Sequence, residues 1–202
     1  MRIRLGIILF LVAGALVNSC YAQDFSKAII KLSGSYTNLK SITLLFDDAS
    51  IKLDGDGNIS SFNLLNKGET GFNGESIMYY DQFANRSKIG KLKSVNSVNI
   101  DYYDIFDGDD LDGKVKSVGN TVIKYYDRFD RKEDLGKIKS LGNVNITYYD
   151  QFELSERTGK LKTIGNTTID YYDRFDIDRR PGRVKSIEGK TDGVVIIAGN
   201  ML

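Results

Sequence analysis

Residues 115–129 read Val115-Lys116-Ser117-Val118-Gly119-Asn120-Thr121-Val122-Ile123-Lys124-Tyr125-Tyr126-Asp127-Arg128-Phe129, two β-prone runs around a Gly-Asn pair. Glycine followed by asparagine suits a two-residue type II′ hairpin turn, because glycine reaches positive φ at no steric cost. Both flanks are rich in Val, Ile, Thr and aromatic residues, which favour a pleated surface. The same pair recurs at Gly142-Asn143 and Gly165-Asn166, again between aliphatic or β-branched residues.

Working outward, the hairpin belongs to a repeat. Tyr-Tyr-Asp begins at Tyr79, Tyr102, Tyr125, Tyr148 and Tyr171, always 23 residues apart. Phe83, Phe106, Phe129, Phe152 and Phe175 keep that period, as do Gly90, Gly113, Gly136, Gly159 and Gly182. Each glycine opens a basic–aliphatic–Lys–Ser/Thr–aliphatic run, from Lys91-Leu92-Lys93-Ser94-Val95 to Arg183-Val184-Lys185-Ser186-Ile187. Degenerate copies of that run stand at Asn38–Ile42 and Asn58–Phe62, as atypical ends of an array do. The expected fold is all-β: an antiparallel meander of 23-residue β-hairpin repeats, forming an elongated or curled sheet. The array spans 77–189, after an irregular β region at 23–76 that acts as a cap. At 190–202 the apolar Gly193–Ala198 run reads as a buried final strand or the cap of the array. Outside the leader, only Phe25–Leu32 is open to a helix.

The turn fixes register, and paired residues share a face. Val118 then opposes Thr121, Lys116 opposes Ile123, and Lys114 opposes Tyr125. A strand running to Phe129 would carry Ile123, Tyr125, Asp127 and Phe129 on one face. Continued through the loop, the register gives an Asp–Lys pair per unit, from Asp81–Lys93 to Asp173–Lys185. Lysines interrupt the apolar face, so the sheet is expected to be wet on much of both sides, with the face of Ile100, Tyr102 and Phe106 the more buried. Charge on both faces argues against an outer-membrane barrel.

The N-terminus has a basic start at Arg2 and Arg4, an apolar run from Leu5 to Val17, and small residues before Ala22. This is the layout of a signal peptide over 1–22. Two processing readings stand. One is cleavage after Ala22; the other is lipidation at Cys20, since Val17-Asn18-Ser19-Cys20 resembles a lipoprotein box, and only lipidation would tie the chain to a membrane. The expected location is therefore exported: periplasm, cell surface or secreted. Without 1–22 the chain carries 26 basic and 27 acidic residues, a balance that speaks against nucleic acid as a partner.

Tyr126-Asp127 followed by Gly136-Lys137-Ile138 resembles the YD repeats of Rhs-type shell proteins, a likeness covering roughly residues 77–189. The charged, two-sided hairpin layout is also similar to the single-layer sheet of spirochaete outer-surface lipoproteins. Both resemblances imply a β scaffold, and neither implies an enzymatic activity.

The chain has no histidine, no tryptophan and one cysteine, Cys20. Ser-His-Asp and Cys-His catalysis and the usual zinc sites are thereby excluded. The repeated aspartates are equivalent copies, whereas carboxylate catalysis needs a unique pair in divergent environments. No enzyme and no cofactor are expected. The one metal candidate is calcium at Asp107, Asp109, Asp110 and Asp112, with Asp54–Asn58 a weaker loop; both also read as ordinary turns. The candidate ligand-binding residues are Tyr79, Tyr102, Tyr125, Tyr148 and Tyr171, a ladder that could stack on an extended glycan or pack within the sheet. The expected function is a non-catalytic structural or interaction protein of the cell envelope, or a secreted one, whose partner is an envelope protein. The alternative is a carbohydrate-binding module that meets an extracellular glycan through the tyrosine ladder.

Overall fold

The structure, a computed structural model, describes residues 25–33, 39–65, 76–177 and 180–199. The expected signal peptide at 1–22 and Cys20 lie outside them. Four strands come first: β1 (Lys27–Leu32), β2 (Leu39–Leu45), β3 (Ala49–Asp54) and β4 (Ile59–Leu64). Ten follow in the repeats: β5 (Ile77–Tyr79), β6 (Leu92–Val95), β7 (Val98–Tyr102), β8 (Val115–Val118), β9 (Thr121–Tyr125), β10 (Ile138–Leu141), β11 (Val144–Tyr148), β12 (Leu161–Ile164), β13 (Thr167–Tyr171) and β14 (Val184–Glu188). The last is β15 (Val194–Ala198). The fold is all-β, and among the described residues helical turns are limited to two 3-10 turns, at Ile105–Asp107 and Lys132–Asp134. Lys27–Leu32 is a strand, because Ala28, Ile30 and Leu32 alternate inward with period two.

The ten repeat strands form one antiparallel meander in chain order, open at β5 and β14 rather than closed into a barrel. Its two-residue turns fall where the sequence puts them. Gly119, Gly142 and Gly165 have φ of +58°, +55° and +54°, and in the first turn Asn96 takes the position at φ +50°. Asparagine tolerates this region better than other residues with a Cβ. The amide N–H of each turn's first residue donates across to the neighbouring hairpin, as Gly142 does to the Val122 carbonyl at 2.8 Å. Each turn is thus tied to the unit before it.

Beyond the turn the expected register fails, because every lysine strand carries a β-bulge. Tyr102 pairs with Val115 while Asp101 pairs with Ser117, which leaves Lys116 extra. The same shift occurs at Lys93, Lys139, Lys162 and Lys185. Two residues then oppose one, and the face alternation slips by one. Val115 and Val118 both point inward as a result, as do Ile138 and Leu141, and Leu161 and Ile164. One face is consequently dry, and the sheet is not wet on both sides. The opposite face keeps Asn99, Lys124, Asn145 and Thr168.

The dry face shares one hydrophobic core with the second sheet, ordered β15-β1-β2-β3-β4. Each fully buried Leu or Ile in that core contributes about 1.5–3 kcal/mol. Polar contacts fix how the sheets sit together. Asp48 accepts from the Ser97 N–H at 3.1 Å and from its hydroxyl at 2.8 Å, and Asn96 donates to the Asp48 carbonyl at 3.0 Å. At Gly57 a Cβ would stand 2.3 Å from the Tyr125 hydroxyl, so glycine is required for this approach. The apolar C-terminal strand β15 pairs in parallel with β1 instead of covering the end of the array. Val195 and Ile197 on its outer side stay partly exposed, so it is not fully buried.

Candidate functional site

The long loops all emerge at the edge of the meander opposite the Gly-Asn turns. Each starts with the aspartate of Tyr-Tyr-Asp. Its Oδ1 accepts from the backbone N–H of the phenylalanine two residues on, at 2.9 Å, in Asp81, Asp104, Asp127, Asp150 and Asp173 alike. An aspartate that bonds the backbone two residues ahead makes an Asx turn, which competes with strand continuation. The strand therefore ends at the first tyrosine, and Phe129 does not lie on it.

Turned out of the sheet, the five phenylalanines Phe83, Phe106, Phe129, Phe152 and Phe175 are 74–91% exposed. The expectation that Phe106 belongs to the buried face is thus corrected, and the reason is the Asx turn. Ile105 and Leu135 in the same loops are also exposed, so the edge carries an apolar line among charges. The sequence signal for this turn is Asp-x-Phe, present in every repeat.

The tyrosines take the opposite role. Tyr102, Tyr125, Tyr148 and Tyr171 are 3–4% exposed, and only Tyr79, on the end strand β5, is open, at 56%. Each buried hydroxyl donates to the carbonyl ten residues back, on Leu92, Val115, Ile138 and Leu161, at 2.9–3.1 Å. The second tyrosines reach forward instead: Tyr80, Tyr103, Tyr126 and Tyr149 donate to the carbonyls of Ile100, Ile123, Ile146 and Ile169. Successive units meet through edge-to-face pairs, such as Tyr103–Tyr125 with ring centroids 6.0 Å apart. Lysines cover these rings. Lys137 stands 4.6 Å from the Tyr148 ring centroid, and Lys139 stands 5.2 Å from that of Tyr126. Burial raises the pKa of all four inner tyrosines well above the ordinary phenol value. It also lowers that of Lys91 and Lys160. The ladder is thus internal packing, and four of its five members present no stacking face to a ligand.

The expected Asp–Lys pairs, from Asp81–Lys93 to Asp173–Lys185, do not form. The bulge and the Asx turn move the acidic partner three residues on, so Lys116 meets Asp107 at 3.0 Å, Lys139 meets Asp130 at 2.6 Å and Lys185 meets Asp176 at 2.6 Å. Lys162 reaches Glu153 more loosely, at 3.7 Å. These acids also close the turn: Asp107 accepts from the Asp104 N–H and Asp130 from the Asp127 N–H, both at 3.1 Å. Backbone and lysine contacts hold the Asp107 carboxyl below the usual aspartate range, and the lysine does the same first for Asp130 and Asp176.

Two aspartates of the calcium candidate are engaged apart from each other. Asp107 faces Lys116, and Asp110 accepts from the Arg128 N–H at 3.0 Å. Among the described residues no three carboxylates converge as metal ligands would. Asp54 in the weaker loop caps its own turn, accepting from the N–H groups of Asp56 and Asn58. Comparison with known proteins finds no matching family model, no matching curated protein and no matching solved structure.

Proposed function

We propose that this is an exported, non-catalytic structural or interaction protein of the cell envelope or its surroundings, and that the phenylalanine edge is its contact surface. One observation carries the reading: five rings are held out of the sheet by five identical Asx turns, with exposures of 74–91%. A phenylalanine left in water forgoes about 1.5–3 kcal/mol of burial, and contiguous exposed apolar surface marks interaction sites. The buried core is built without these five rings. The non-catalytic reading rests on the absence of histidine from the sequence and on the engagement of every Tyr-Tyr-Asp aspartate in the same turn bond. Export rests on the leader at 1–22.

The test is co-sedimentation of the protein with envelopes isolated from its own cells. The variant F106A/F129A/F152A is expected to melt with the wild type and to lose the association. Association at the wild-type level in that variant would remove the proposed role of the edge. The alternative, a carbohydrate-binding module, moves from the tyrosines to these phenylalanines, and their even spacing favours it.

A further inference from the structure

The rings repeat with the array, so a ligand that meets all of them must itself repeat. Two strands separate successive units, which at the usual spacing puts neighbouring rings about 9.6 Å apart. This is close to the length of two sugar rings in an extended β-1,4-linked chain. Sugar rings offer flat C–H faces that stack on aromatic rings, and hydroxyls that point outward in the plane. Exposed Gln82 and Gln151 each stand immediately before a phenylalanine and offer amide groups beside it, while the Arg128 guanidinium lies 5.3 Å from the Phe129 ring centroid and Arg174 is held by Glu156.

Charge narrows the class further. The loop segments 81–90, 104–113, 127–136, 150–159 and 173–182 hold sixteen acidic and nine basic residues. Lysines just beyond these segments pair with Asp107, Asp130, Asp134 and Asp176, so the edge is close to balanced and has no net basic field to draw nucleic acid, acidic glycans or anionic lipid surfaces. Twist narrows it again. Sheets rotate by roughly 20–25° per strand, so the row winds along the array. A single chain can follow that winding, whereas the flat face of a crystalline polymer meets only a ring or two.

We propose that the phenylalanine row binds a single chain of a neutral, extended, β-linked polysaccharide, with successive disaccharides stacked on successive rings. The proposal rests on the reading of this edge as the contact surface. Native affinity gels of the whole protein with hydroxyethylcellulose or glucomannan test it, with polygalacturonate as the anionic comparison. Retardation is expected in the neutral polymers and not in polygalacturonate. It should weaken by at least about tenfold in F106A/F129A/F152A, since multivalent contacts compound. The matching F106Y/F129Y/F152Y variant should keep it, because the stacking face survives. Retardation equal in the alanine variant, stronger in polygalacturonate, or absent from every neutral polymer would overturn the proposal. If neutral polymers fail while envelope association remains phenylalanine-dependent, the contact surface stands and the glycan does not.

Discussion

The Asp127 carboxylate accepts from the Phe129 N–H at 2.9 Å, and this one bond decides that the aromatic ring leaves the sheet. The same carboxylate–amide distance recurs in the other four units, so the exposed row has the regularity of the repeat itself. D127A is expected to cost about 1 kcal/mol, typical of a single hydrogen bond to a turn. D127N retains the accepting oxygen and should cost less. Urea unfolding of both variants measures the difference, and equal losses would show that the charge, and not the turn bond, is what matters.

The Tyr125 hydroxyl, 2.9 Å from the Val115 carbonyl, gives a second expectation. Y125F keeps the ring, its packing against Tyr103 and the cover of Lys114, 4.9 Å from the centroid. It removes only the donor, so a loss of about 1–3 kcal/mol is expected for a buried carbonyl left without it. Y79F removes a hydroxyl from an exposed end-strand residue and should be within about 0.5 kcal/mol of neutral. Thermal melts that rank Y79F as the more damaging would contradict the inward role of the ladder.

How far the sequence could be read follows from these residues. The turns at Gly119, Gly142 and Gly165 were legible because a Gly-Asn pair between β-branched residues has few other uses. So were the meander and its period, since Tyr-Tyr-Asp recurs without an insertion. The bulges at Lys93, Lys116, Lys139, Lys162 and Lys185 were not, because a bulge adds no residue type of its own to the pattern. It merely lets Ile138 and Leu141, three apart, share a face that strict alternation denies them. That slip hid the dry face and sent the lysines over the tyrosines. The exposure of the phenylalanines is hidden for a related reason: Asp-x-Phe reads equally as strand continuation or as an Asx turn, and only the hydrogen bond distinguishes them.

Acid should loosen the loops before it opens the core. Asp130 and Asp176 are held below the ordinary aspartate range by their lysines first, and Asp107 by its backbone contact and then Lys116. A depressed carboxyl favours the folded state above the unfolded pKa of about 4, and that contribution is lost as pH falls through the folded value. The melting temperature is therefore expected to hold from neutrality down to about pH 4 and to fall below it. In D107N/D130N/D176N the fall should be shallower, starting from a lower plateau. A triple variant with the wild-type acid limb would show that other carboxylates govern it.

At the alkaline end the sign reverses, and the tyrosines set the limit. Burial raises the pKa of Tyr102, Tyr125, Tyr148 and Tyr171, so the folded chain keeps these protons when the unfolded chain has released them. Stability is complete below the unfolded phenol value of about 10 and declines as pH rises beyond it. Each such tyrosine contributes a slope of about 1.4 kcal/mol per pH unit, so four together approach the whole stability of a small domain within a unit or two. Phenolate absorbance from these rings should therefore appear together with loss of the β-sheet circular dichroism, in one step. Y125F, with one proton fewer to release, should unfold over a less steep alkaline limb. Full phenolate absorbance with the sheet signal intact would mean that the rings reach solvent in the folded state. The inner tyrosines would then again be open to a ligand.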